Sequence, residues 1–199
     1  MSAVLASPSS TLPLATLQAW SSSPASCGLD GLIEAMTQIV DQDDGEQDVD
    51  VHEQMRLALA AHPDVALPLS PLQWAGDPER YVRHLLHADP LGRFSVMALI
   101  WHPGQRTPVH GHRTWCAYLV LQGELRESRF AWQADRDCAV LTDTVTRLAG
   151  QTLAAPAGLA DIHSLGNDSD AVAVSIHVYG VRGEQISTHV NHLVRGETC

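Results

Sequence analysis

The sequence predicts a mainly β domain, an antiparallel sandwich or barrel with helices packed on its outside. Up to residue 90 the apolar residues recur at helical spacing. Beyond residue 90, short β-branched and apolar segments follow one another with Gly, Pro and Asn between them. The chain has 199 residues and is 45% hydrophobic, which suits one ordinary core. We divide it into a flexible or loosely packed lead-in (1–26), a helical region (27–90) and a β-barrel (91–199). Residues 27–199 form one structural domain in this reading.

The elements follow in order. "CGLDGLIEAMTQIVDQ" places Leu32, Ile33, Met36 and Val40 on one helical face. "VDVHEQMRLALAAHPD" repeats the pattern with Val51, Met55, Leu57, Leu59 and Ala60. The acidic run "DQDDGEQDVD" between them reads as a solvated linker. A third helix is expected at "GDPERYVRHLLHAD", with Asp77 as N-cap, Pro78 at the first helical position and Glu79 in the first turn. It would present Tyr81, Arg83 and His84 within one turn. "RFSVMALIW" opens the strands. "CAYLVLQGELRESRFAW" reads as two strands joined around Gly123, and "CAVLTDTVTRLAG", "QTLAAP", "DIHSLGN" and "DAVAVSIHVYG" continue the series. "STHVNHLVRGETC" ends as an edge strand and tail.

Charge narrows the partners. Twelve Lys and Arg against 23 Asp and Glu leave a net charge of −11. Such a surface argues against nucleic acid and membranes as partners. An anionic substrate would need a local basic pocket. The first twenty residues carry no Lys or Arg and no continuous apolar core, so they do not read as a signal peptide. No apolar run approaches the roughly 20 residues that span a bilayer. Cys27, Cys116, Cys138 and Cys199 form no CxxC pair, which suits a reducing cytoplasm. A monomer or small homo-oligomer is expected.

Two spaced motifs carry chemistry. The first runs Gly104, His110, His112, Cys116, Gly123; the second runs Gly150, Pro156, Gly158, His163, Asn167. Residues i and i+2 of a strand share a face, so His110 and His112 can reach one metal ion, with His163 closing the triangle from a neighbouring strand. Three histidines also suit zinc, so the ligand set alone does not name the metal. Ser175, His177 and Tyr179 alternate with Ile176 and Val178. The two sets face opposite sides, and alternation does not say which side is inward. Cys116 by itself reads as a small buried hydrophobe or as a metal ligand.

These motifs resemble the two-part signature of the cupins, jelly-roll barrels that hold a metal inside. Two departures stand out: Cys116 occupies the slot of the usual glutamate ligand, and two extra residues precede His163. More narrowly, the segment from Glu79 to Trp132 and "DIHSLGNDSDAVAVSIHVYG" resemble the thiol dioxygenases, best known through cysteine dioxygenase. The resemblance covers roughly residues 79–180. It implies a cupin-type barrel holding Fe(II) on His110, His112 and His163. It implies an enzyme, an oxidoreductase that adds both atoms of O₂ to the sulfur of a small carboxylate-bearing thiol. The product is a sulfinate, as in L-cysteine to cysteine sulfinate.

By the same resemblance Ser175, His177 and Tyr179 form a catalytic relay, and Arg83 holds the substrate carboxylate beside Tyr81. A guanidinium fork suits a carboxylate. Cys116 and Tyr179 correspond to a thioether pair found in some members. "LLHAD", "RFSV", "HRTW" and "SIHVYG" look like bacterial mercaptopropionate-type members, and Gly180, Val181 and Arg182 replace a proline pair of the animal type. The alternatives are therefore 3-mercaptopropionate or mercaptosuccinate as substrate, with Arg113 and Arg182 as candidates for a second carboxylate. A cupin with another metal, acting as isomerase, lyase or small-molecule binder, stays open as well.

Overall fold

The computed structural model describes residues 28–43 and 50–197. The lead-in (1–26) and most of the acidic run between the first two helices lie outside the described residues. Helix α1 spans Leu29–Gln42, α2 Val51–Ala60 and the short α3 Pro71–Ala75. The strands are β1 (Val82–Ala88), β2 (Ser95–Trp101), β3 (His110–His112), β4 (Cys116–Gln122), β5 (Glu124–Gln133), β6 (Cys138–Leu148), β7 (Thr152–Ala155), β8 (Gly158–Gly166), β9 (Ala173–Tyr179), β10 (Asn191–Leu193) and β11 (Gly196–Glu197). They form two sheets, β1-β2-β9-β4-β7 and β10-β3-β8-β5-β6-β11. The pairing is antiparallel throughout, except that β11 runs parallel to β6. No described helix is long and apolar enough to cross a membrane.

Both faces of the first sheet are covered. Leu32 and Met36 of α1 and Met55, Ala58 and Leu59 of α2 pack on its outer face, against Val96, Ala117, Leu119, Ile176 and Val178. Its inner face turns Met97, Leu99, Trp101, Cys116, Tyr118 and Tyr179 toward Leu125 and Leu165 of the second sheet. Every residue of β2 and of β9 is therefore buried. This settles the direction of the alternating row on β9. Ile176 and Val178 face the helices, and Ser175, His177 and Tyr179 face the barrel interior. On α2 the buried face is rotated from the expected one: Ala58 is inside and Leu57 is 54% exposed.

The expected third helix is a correction. Residues 82–88 form β1, paired antiparallel with β2 from Val82↔Ile100 to Ala88↔Ser95. Asp77 does cap, but it caps a turn: its Oδ1 accepts from Glu79 N at 2.8 Å. Cross-strand pairing with the buried β2 outweighs a helical signal that rested on three residues. The helix lies upstream. Ser70 accepts from Gln73 N, the Gln73 side chain accepts from Ser70 N, and Pro71 starts α3.

Two glycines have evident reasons. Gly123, at φ +73, turns the chain between β4 and β5. Gly111 sits where β3 meets β8, and a Cβ there would lie 2.6 Å from the Gly158 carbonyl oxygen. The glycine between the two histidines thus allows a close approach of two backbones.

The turn after β1 is pinned by Asp89, which is 5% exposed. Its oxygens accept from the backbone N, Nε and Nη2 of Arg93, and Arg93 also reaches Asp41 at the end of α1. The Arg93 contact, opposed by burial, holds the Asp89 carboxyl at about 2. A carboxyl depressed by folding stabilises the fold above its ordinary value, and that stability is lost as the pH falls toward the folded value. Asp89→Asn should lower unfolding stability by about 2 kcal/mol at neutral pH. Denaturant titrations of parent and variant should converge as the pH is lowered below the ordinary carboxyl range.

Candidate metal centre

β3 is three residues long and supplies two of three converging imidazoles. His110 and His112 point to the same side of it, and His110 stands directly opposite His163 of β8. One ring nitrogen from each of the three lies within 4.8 Å of the others, and all three residues are buried. Cys116 does not join this cluster.

The ring nitrogens are sorted by their backing. His110 Nδ1 donates to the Pro108 carbonyl at 2.9 Å, and His163 Nδ1 donates to Glu127 Oε1 at 2.8 Å. Their Nε2 atoms are left for the cluster. His112 faces the backbone of Asp161, yet its Nδ1 closes no hydrogen bond. Burial, and then the neighbouring His163, lower His110 to about 4 and His112 to about 2. Both rings are thus neutral near pH 7, the state in which imidazole binds a metal. The donor set fits a divalent cation: three imidazole nitrogens, and no carboxylate of the described residues in the cluster.

Behind His163 stands a residue the sequence reading missed. Glu127 is 3% exposed, and its Oε2 accepts from Nε and Nη2 of Arg147 at 2.8 and 2.6 Å. Burial would raise its carboxyl, but His163 and Arg147 outweigh this and hold it below its ordinary value. The signal was available: strand alternation puts Glu127 on the face of the buried Leu125, an unusual place for a lone acid.

On the opposite wall a hydrogen-bonded chain runs along β9. Trp101 Nε1 donates to Ser175 Oγ at 2.9 Å, Ser175 Oγ lies 2.9 Å from His177 Nε2, and His177 Nδ1 lies 3.1 Å from the Tyr179 hydroxyl. The tautomer of His177 sets the direction of the chain: with its proton on Nδ1, Ser175 donates to Nε2 and the Tyr179 oxygen accepts; with its proton on Nε2, the Ser175 oxygen accepts and Tyr179 donates to Nδ1. Burial lowers His177 to about 3, so the ring stays neutral. Trp101 is the member the sequence reading missed. Asn167 of the second motif has a structural task instead: its Nδ2 donates to the carbonyls of Trp101 and Ala171.

β1 and the residue just before it bring the remaining candidates to the mouth. Tyr81 and Arg83 are two residues apart and line the same inner pocket as the three histidines, Tyr179 and Asn191. His84 points away, toward the Gln73 carbonyl at 3.2 Å. A strand thus explains this pair better than a helix: i and i+2 share a face, and i+1 does not. Tyr81 stacks on Trp101 with ring centroids 4.7 Å apart. The inner space is about 20 Å³ and opens to an outer vestibule of about 440 Å³. Arg83 belongs to both and makes no ion pair among the described residues. Arg113 also lines the vestibule, whereas Arg182 packs over Gly92. Cys116 stands opposite Tyr179 across β4 and β9. Burial pushes its thiol up to about 12.

Fold and site define a class: a cupin-type barrel of two antiparallel sheets, with a buried three-histidine metal-binding cluster between them. The chain belongs to the cysteine dioxygenase type I family, whose model matches residues 19–190. It is 30% identical over 116 residues to cysteine dioxygenase type 1 of Bos taurus, a match covering 55% of this chain and 58% of that protein. With the Homo sapiens protein it is 30% identical over 115 residues, covering 55% and 57%. The match thus spans rather more than half the length of the curated relatives. Among solved structures, the TT1209 protein of Thermus thermophilus is similar at 22% identity and TM-score 0.43, over 58% of this chain and 99% of that one.

Replacing His163 by Ala should weaken binding of a divalent probe such as Co(II) by more than about 100-fold, read by calorimetric titration, because loss of a ligand exceeds the effect of losing its backing partner.

Proposed function

We propose that this chain is an Fe(II)-dependent thiol dioxygenase. It would add O₂ to the sulfur of a small carboxylate-bearing thiol, first of all L-cysteine, to give a sulfinate. One observation carries the reading: Arg83, which makes no ion pair among the described residues, shares a pocket with three buried histidines that no described carboxylate joins. Such a centre keeps its full positive charge for a thiolate. Iron, when held by His110, His112 and His163, supplies thiolate binding and O₂ activation.

The chain's own groups do the positioning. Arg83 takes the substrate carboxylate bidentately and so fixes where the sulfur lies. Tyr81, braced on Trp101, walls the same side. The Trp101–Ser175–His177 chain holds the Tyr179 hydroxyl in place; in the His177 Nδ1–H tautomer its proton is directed into the pocket, ready to donate to a reacting oxygen or sulfur. His177 orients and does not act as base, since burial keeps it neutral well below pH 7. The narrow inner space leaves little room for water beside a substrate. The free, buried Cys116 and Cys138 suit a reducing cytoplasm.

Arg113 in the vestibule favours a second reading within the same chemistry, with mercaptosuccinate as substrate. A profile across cysteine, 3-mercaptopropionate and mercaptosuccinate, with iron analysis of the same sample, separates these from each other. It also separates them from isomerase or lyase chemistry on another metal.

We also propose the Cys116–Tyr179 thioether. The two residues are directly opposed on neighbouring strands and face the same interior. Forming it exchanges the S–H and one ring C–H for an S–C bond, with two electrons and two protons passing to dioxygen as H₂O₂. Peptide mapping after turnover should recover Cys116 and Tyr179 joined; intact, separable peptides would remove the idea.

Arg83→Gln should lower kcat/KM for cysteine by about 100-fold, in line with the loss of a charge-assisted bidentate contact. Turnover of cysteamine, which lacks the carboxylate, should be little changed. Unchanged cysteine oxidation in an O₂-uptake assay would remove Arg83 as the clamp. Absence of uptake with every carboxylate thiol, in iron-loaded protein, would remove the dioxygenase reading.

A further inference from the structure

We propose that Glu127 and Arg147 form a charge-balanced brace that sets the electron-donating strength of His163 toward the metal. This rests on the three histidines being a metal centre, and is independent of which thiol, if any, is oxidised.

The brace divides its contacts cleanly. Glu127 Oε1 takes the His163 proton at 2.8 Å, and Oε2 takes both Arg147 contacts at 2.8 and 2.6 Å. Both side chains are shielded, with 3% of the Glu127 and 17% of the Arg147 side chain exposed. A carboxylate behind a ligating imidazole fixes its orientation and raises its basicity. The other two histidines lack this. His110 is backed by a neutral carbonyl, and His112 Nδ1 closes no hydrogen bond. The three ligands are thus graded, with His163 the strongest donor.

Arg147 gives the brace its sign. Alone in a low-dielectric interior, the Glu127 charge would offset that of a bound cation. With Arg147 in place the pair is neutral. The carboxylate strengthens His163 locally, and the centre keeps its positive charge for an anionic ligand. Cys116 occupies the cupin glutamate slot, so a carboxylate stands one residue farther out, behind a ligand and charge-balanced.

Glu127 and Arg147 are positioning residues, so the test needs a readout that simple structural damage would not reproduce. Glu127→Gln keeps an acceptor oxygen and removes the charge. It should raise the iron midpoint potential and weaken Co(II) or Fe(II) affinity by about 10- to 100-fold. Arg147→Gln leaves the carboxylate uncompensated. It should shift the potential the opposite way, without the loss of affinity. The double variant, neutral like the parent pair, should return the potential toward the parent value. Potentials would be read by anaerobic redox titration of iron-loaded protein, and affinities by competition with a chelator, neither requiring turnover. Shifts of the same sign in both single variants, or no shift in Arg147→Gln, would overturn the brace. Should Glu127→Gln fail to fold, Arg147→Gln and the double variant decide the question alone. A parent protein that binds no divalent metal would overturn both the centre and the brace. A protein that binds iron with the expected shifts, but consumes no O₂ with any thiol, would leave the brace standing and remove the dioxygenase reading.

Discussion

The molecule depends on one close approach, that of β3 to β8. β3 carries two of the three imidazoles and the third stands opposite on β8, so the spacing of these two strands is the geometry of the centre. Gly111 permits that spacing, because any Cβ there would collide with the Gly158 carbonyl. Gly111, between the two histidines, and Gly158, of the second motif, are thus two sides of one contact. The rest of the barrel builds outward from it. β5 extends the same sheet and brings Glu127 behind His163, and the facing sheet supplies the polar row on β9.

A second theme is the placement of charge. The chain is strongly acidic, yet among the described residues no carboxylate joins the ligand cluster. The buried acids near the working parts are each tied to an arginine: Glu127 to Arg147 and Asp89 to Arg93. Arg83 has no such partner among the described residues at the mouth of the pocket. An arginine with no acid beside it keeps its binding capacity for something that arrives from solvent. His110 and His112 are neutral for a different reason, their removal from water.

Two of the three histidines were legible locally, because an H-x-H on a strand puts both side chains on one face. The third, His163 on β8, was legible only through the second spaced motif and the family resemblance. The row Ser175, His177, Tyr179 was half legible: alternation put the three on one face, but only the helix layer over Ile176 and Val178 decides that the face is inward. The stretch from Asp77 to Asp89 was misread because its outcome is non-local. Val82 to Ala88 are a strand since β2 offers them an unpaired edge, and nothing within "VRHLLHA" announces that edge. Trp101 and Arg147 were missed for the same reason. Each matters through a partner 74 or 20 residues away in the chain.

β3 has a further property. It is held on one flank by β8 and on the other by β10, a three-residue strand near the C-terminus that pairs Asn191 with His112 and Leu193 with His110. Strands this short carry few hydrogen bonds, and the lowest-energy excursions of a fold tend to begin in such places. The ligand strand is thus flanked by one of the shortest strands in the sheet, with Arg113 N bonded to the Val190 carbonyl and Val194 N to the Val109 carbonyl at its two ends. Local opening of this flank, short of unfolding the barrel, would loosen the segment that carries His110 and His112, and amide exchange at Asn191–Leu193 would register it.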